Sequence, residues 1–170
     1  MNPQKLKLKK ILRDYFTLED IHLILFHLSK NYEHQVWFKF IYTFGISCKE
    51  LIEIKIEDIN FEFKKIKFKN KNISRECIVP KYLENDLIIL KAHKKNHDYL
   101  FQKNSKKLKL RTVESVFEKV SFLLGKKINS TILRKSLIFH LLNEGWTKER
   151  IFDFFGGHYE RMIGDTFRKL

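Results

Sequence analysis

The stretch Thr131-Ile-Leu-Arg134-Lys-Ser-Leu-Ile-Phe-His140-Leu-Leu-Asn-Glu-Gly145 is followed by Gly157-His158 and, nine residues after that histidine, by Phe167. Its apolar residues recur at helical spacing and stop at Gly145, which predicts a helix over about 131–143. Thr147 is the expected cap of a helix over 148–155, and a last short helix is expected over 159–168. Just upstream, Val113, Val116, Phe117, Val120 and Leu124 follow the same period and end at Gly125.

The amino-terminal half has the same helical character with one interruption. Thr17, with Asp20 three residues on, marks a helix start, and Ile21, Ile24, Leu25 and Leu28 continue it. A second helix is expected over 33–43 with Gly45 as its cap, and a short one over 49–53. From Ile54 the period changes to two. Phe61 and Phe63 alternate with charges, Ile66 and Phe68 do the same, and Glu76-Cys77-Ile78-Val79 returns after the turn residues Asn70-Lys71-Asn72. This predicts a small antiparallel three-stranded sheet, followed by a helix over 82–92 and a basic, irregular segment over 93–110. The fold class is therefore α+β, mostly α, in one domain over 15–170 preceded by a basic arm over 1–14.

Composition narrows the function. The chain has 170 residues, 44% of them hydrophobic, with 16 Phe, enough for an aromatic-rich core. Its formal net charge of +14 points to a polyanionic partner, most often nucleic acid. The alternative source of that charge is a lysine bias in an AT-rich genome. Cys48 and Cys77 have no metal-ligand spacing and fit reduced thiols. Neither a secretory leader nor an apolar run of the roughly 18 residues a membrane helix needs is visible, so a cytoplasmic protein without cofactor or metal is expected.

Four boxes resemble the catalytic domain of the tyrosine recombinases (phage integrase family). Gly45, Glu50 and Leu51 are in register with a Thr-x-Gly-x-Arg-x-x-Glu-Leu box. The basic hairpin before Ile78-Val79-Pro80 is similar to one that carries a cleft lysine. Arg134 through His140-Leu-Leu and Gly145 matches the His-x-x-Arg helix, and Gly157-His158 the Gly-His pair. The resemblance spans about residues 15–170. It implies that Arg134 and His158 bind the scissile phosphate and that Lys71, or Lys69 in the other register, protonates the leaving hydroxyl. A guanidinium fork matches two phosphate oxygens. A lysine on a sheet edge also has a simpler reading, protection against edge pairing. On the same resemblance, neither the family's amino-terminal clamping domain nor its tail helix is expected within residues 1–170.

Three positions depart from the pattern. Ser47 stands for the first arginine, Thr131 for His or Lys, and Phe167 for the nucleophilic tyrosine. Phenylalanine has no oxygen with which to form a phosphotyrosyl link. The leading expectation is therefore a catalytically inactive relative that binds double-stranded DNA through Lys69, Lys71, Arg75, Lys106, Lys107, Lys109, Arg111 and Lys135, alone, self-associated or beside an active recombinase. The alternatives are an active divergent recombinase using Tyr159 or Tyr42, a mobile-element remnant, and an RNA-binding domain.

Overall fold

The computed structural model describes residues 15–70, 73–156 and 164. The basic arm, Lys71, His158, Phe167 and the helix expected over 159–168 lie outside the described residues, apart from residue 164.

Helix α1 (Leu18–Leu28) starts where the sequence places it. Thr17 Oγ1 accepts from Asp20 N at 3.1 Å and Asp20 Oδ2 accepts from Thr17 N at 3.0 Å, so two end groups of the helix cap each other. Asp20 also pairs with Lys126 at 2.7 Å. The chain entering α1 is tied across the molecule, because Phe16 N donates to Ser136 Oγ at 2.8 Å.

Helix α2 (Tyr32–Phe44) is the axis of the fold and buries Val36, Trp37, Phe38, Phe40, Ile41 and Phe44. It ends at Gly45, whose φ of +59° is left-handed and suits a residue without Cβ. Helix α3 (Cys48–Glu53) follows at once, and a 3₁₀ turn (Ile56–Asp58) leads into the sheet.

The sheet is β1 (Ile59–Asn60), β2 (Lys65–Asn70) and β3 (Ile73–Ile78), antiparallel in that order. Ile66 pairs with Cys77 and Phe68 with Arg75, and these four side chains are buried, whereas Lys67, Lys69 and Glu76 face out. The expected first strand is displaced. Phe61 and Phe63 lie in a turn, closed by Phe63 N donating to Asn60 Oδ1 at 2.9 Å, and Phe63 is 65% exposed. Alternation with charges there mimics a strand, whereas β1 ends at Asn60, before either ring.

Helix α4 (Lys81–Lys91) begins after Pro80 and buries Leu83, Leu87 and Leu90. The segment expected to be irregular contains a hairpin, β4 (Gln102–Lys103) with β5 (Lys106–Lys107). Its turn residues Asn104 and Ser105 both have left-handed φ, 52° and 56°, as a tight two-residue hairpin requires. Helices α5 (Leu110–Leu124), α6 (Ser130–Asn143) and α7 (Lys148–Phe155) complete the fold. One apolar core runs from α1 to α6, and Leu137, Ile138, Ile151 and Phe155 join α6 to α7 beside it.

Candidate functional site

The site is built around the carboxy-terminal end of α2, where the last carbonyls lack helical partners. Arg134, on the first turns of α6 and 4% exposed, donates from Nε to Gly45 O at 2.7 Å. Gly45 and Arg134 belong to two of the sequence boxes, and this bond brings those boxes together. The approach of α7 depends on the same glycine. A Cβ on Gly45 would lie 2.5 Å from the Phe155 ring.

Arg75 differs from its expected place on DNA. It is 7% exposed, on the buried face of β3. Its guanidinium donates to Phe154 O at 2.9 Å, to Phe44 O, and to Cys77 Sγ at 3.4 Å. The rings of Phe68, Phe154 and Phe155 surround it with centroids at 5.1, 5.4 and 5.5 Å. A buried guanidinium must meet its donors inside the protein, and the ends of α2 and α7 supply the acceptors. The period-two pattern already put position 75 on the same face as Cys77, and that was the signal for burial.

Ser47 is the amino-terminal cap of α3. Its Oγ accepts from Glu50 N at 3.1 Å, and Glu50 Oε2 accepts from both Ser47 N and Ser47 Oγ at 2.8 Å. Ser47-x-x-Glu50 is a capping-box signature that was legible in the sequence but overlooked there. Beside it lies a cavity of about 390 Å³, between the starts of α3 and α6 and the flank of α5. Lys49, Lys127, Asn129 and Ser130 line it together with Glu114 and Glu118. Asn129 caps α6 by accepting from Ile132 N at 2.9 Å, and Thr131 stands exposed in the first turn.

Of the two hairpin lysines, Lys69 is described. It projects from the outer face of β2 and pairs with Asp58 at 2.5 Å. That hydrogen bond to Asp58 raises its pKa above the ordinary lysine value, so the ammonium holds its proton. The Asp58 side chain is itself buried and accepts from Lys55 N at 3.0 Å.

The other expected DNA contacts spread over the β5–α5 edge and α6. Lys106, Lys109 and Arg111 are exposed, and Lys135 is half-buried next to Arg134. Arg111 pairs with Glu118 at 2.7 Å, and Lys107 bonds Glu53 while lying over the Tyr99 ring.

Tyr42, one of the two expected substitute nucleophiles, is engaged with α6. Its hydroxyl makes a short hydrogen bond with His140 Nδ1, and burial raises its pKa above the ordinary tyrosine value. Burial also lowers the His140 pKa, so the imidazole is neutral near pH 7. A phenol that is hard to ionise is a poor nucleophile.

Among the described residues no group of His, Cys, Asp or Glu is placed to hold a metal ion, and no helix is long and apolar enough to cross a membrane.

The sequence profile of the phage integrase family matches residues 15–163. A tyrosine recombinase of Pseudothermotoga lettingae is 26% identical over 147 residues, covering 82% of this chain and 50% of the relative. The tyrosine recombinase XerA of Pyrococcus horikoshii is 27% identical over 148 residues, covering 82% and 51%. The chain thus spans about half the length of these curated relatives. The fold is similar to that of a XerA recombinase crystal structure, with a TM-score of 0.75 at 17% identity over 91% of this chain and 62% of the other. It is also similar to XerH site-specific recombinase bound to its palindromic difH substrate, with a TM-score of 0.71 at 18% identity over 92% and 48%.

Proposed function

The chain belongs to the phage integrase family, and from that membership we propose that it binds double-stranded DNA without cleaving it by the family's route. The observation that carries the proposal is the contrast between Arg134 and Ser47. Arg134 stands at the head of α6 with its Nε anchored on Gly45 O. Ser47, in place of the partner arginine, closes a helix cap with Glu50 instead.

Arg134 is the group retained for a phosphate, and the exposed lysines of the β5–α5 edge supply further phosphate contacts. With a net charge of +14, binding is driven by counterion release and weakens steeply with salt. In the resemblance, Lys71 and His158 complete the phosphate site. A DNA-bound protein of this kind acts in the cytoplasm, occluding a recombination site, assisting an active recombinase, or persisting as the relic of a mobile element.

The magnitudes argue against cleavage. Removing one transition-state donor costs about 3–4 kcal/mol. Ser47 is too short to replace a guanidinium, Thr131 donates less well than His or Lys, and Phe167 supplies no nucleophile. Supporting this reading, Tyr42 is engaged with His140.

The test is selection of genomic fragments on the purified protein at near-physiological salt, followed by incubation of the enriched duplex, nicked to trap intermediates. Enrichment of a discrete sequence with no covalent adduct is the expected result. An adduct would overturn the inactive reading, and recovery no better than bare beads would overturn DNA binding itself.

A further inference from the structure

We propose that Arg75 is a positioning residue for Arg134, a role that rests on the reading of Arg134 as a phosphate contact. The two arginines arrive from different elements, β3 and α6, at consecutive carbonyl oxygens. Arg75 takes Phe44 O and Arg134 takes Gly45 O. Where the Gly45 carbonyl points therefore sets where the Arg134 guanidinium is held, and the preceding carbonyl is fixed by Arg75.

Arg75 also fixes the third wall of the site. Its second anchor, Phe154 O at 2.9 Å, lies at the end of α7. Gly156, the next cap residue, sits so close that a Cβ there would be 2.9 Å from Arg75 Cβ. Phe155, between these two residues, presses its ring on Gly45 and lies within 5.5 Å of the guanidinium. The chain Arg75–Phe155–Gly45–Arg134 is thus contiguous, and its first member is an ion held away from water. An interior charge that donates to two backbone carbonyls and a thiol orients those acceptors with little freedom. A lysine at 75 keeps the charge but has no fork to span two carbonyls.

The side-chain Nε–H of Arg134 reports the effect without DNA. In nitrogen-15 spectra of the full chain, with the resonance assigned by its loss in Arg134→Lys, its hydrogen exchange should quicken at least tenfold in Arg75→Lys. Circular dichroism should show that variant folded at the same temperature. Unchanged exchange would overturn the inference whether or not the protein binds DNA. On the selected duplex, Arg75→Lys and Arg134→Lys should each weaken binding about tenfold, the scale of a lost charged hydrogen bond. The double variant should be no weaker than Arg134→Lys alone. Additive losses would mean that Arg75 acts independently and would also overturn the inference. If the wild-type chain binds no DNA while the exchange result holds, the positioning stands and the function proposed for the site falls. Should Arg75→Lys fail to fold, Phe155→Leu loosens the same chain at its second link and is read by the same exchange rate. No change there would count against the inference.

Discussion

Ser47 Oγ and the Glu50 carboxylate close on each other at 2.8 Å, so the serine that the resemblance sets against a phosphate-binding arginine is a helix cap. The neighbouring cavity between α3, α5 and α6 is lined in part by Ser47 itself.

Ser47→Ala removes the cap without touching the core. Loss of such a cap costs about 1 kcal/mol. Urea unfolding should show that loss in the midpoint, with an unchanged slope, and DNA affinity should stay within about twofold. A large fall in affinity would give Ser47 a direct DNA contact.

Gly45→Ala combines two penalties, a left-handed φ of +59° and a Cβ 2.5 Å from the Phe155 ring. Together they should destabilise the fold by about 2–4 kcal/mol. Thermal unfolding checks this. A shift below one degree would show that α7 moves away from α2 at little cost.

His140 links stability to pH. Burial holds its pKa below the ordinary 6.5, so in acid the unfolded chain takes up the proton first. The stabilising contribution is complete above pH 6.5 and is lost as pH falls from there toward the depressed folded value. Burial shifts His34 in the same direction. Unfolding free energy should therefore decline between pH 7 and 5, and His140→Gln should make that decline shallower. An identical slope in the variant would remove His140 from the account.

Lys106 and Lys109 are exposed on the β5–α5 edge. Replacing both with Gln should lower the salt slope of DNA binding by about 2 and weaken all sequences alike. A sequence-dependent loss would place them on bases rather than phosphates.

Several helices were legible because they carry a start or a stop of their own. Thr17 with Asp20, Gly45, Gly125 and Thr147 mark ends by local chemistry that needs no distant partner. The first strand was misplaced because Phe61 and Phe63 alternate with charges inside a turn that Asn60 closes. The hairpin at Gln102–Lys107 escaped notice because lysines hide a two-residue turn. At the site, the Ser47-x-x-Glu50 cap and the buried face of Arg75 were readable, and the acceptors that Arg75 meets were not.

The sequence by itself determined the order of the helices around one small sheet, the boxes that carry the family pattern, and the absence of an oxygen at Phe167, since all of these are set by spacing or residue identity. Only the tertiary structure decided which arginine faces which group. Arg75 meets Phe44 O and Phe154 O across 31 and 79 residues of chain. A buried guanidinium takes whatever acceptors the packing of α2, β3 and α7 leaves at helix ends, and no local pattern encodes that meeting.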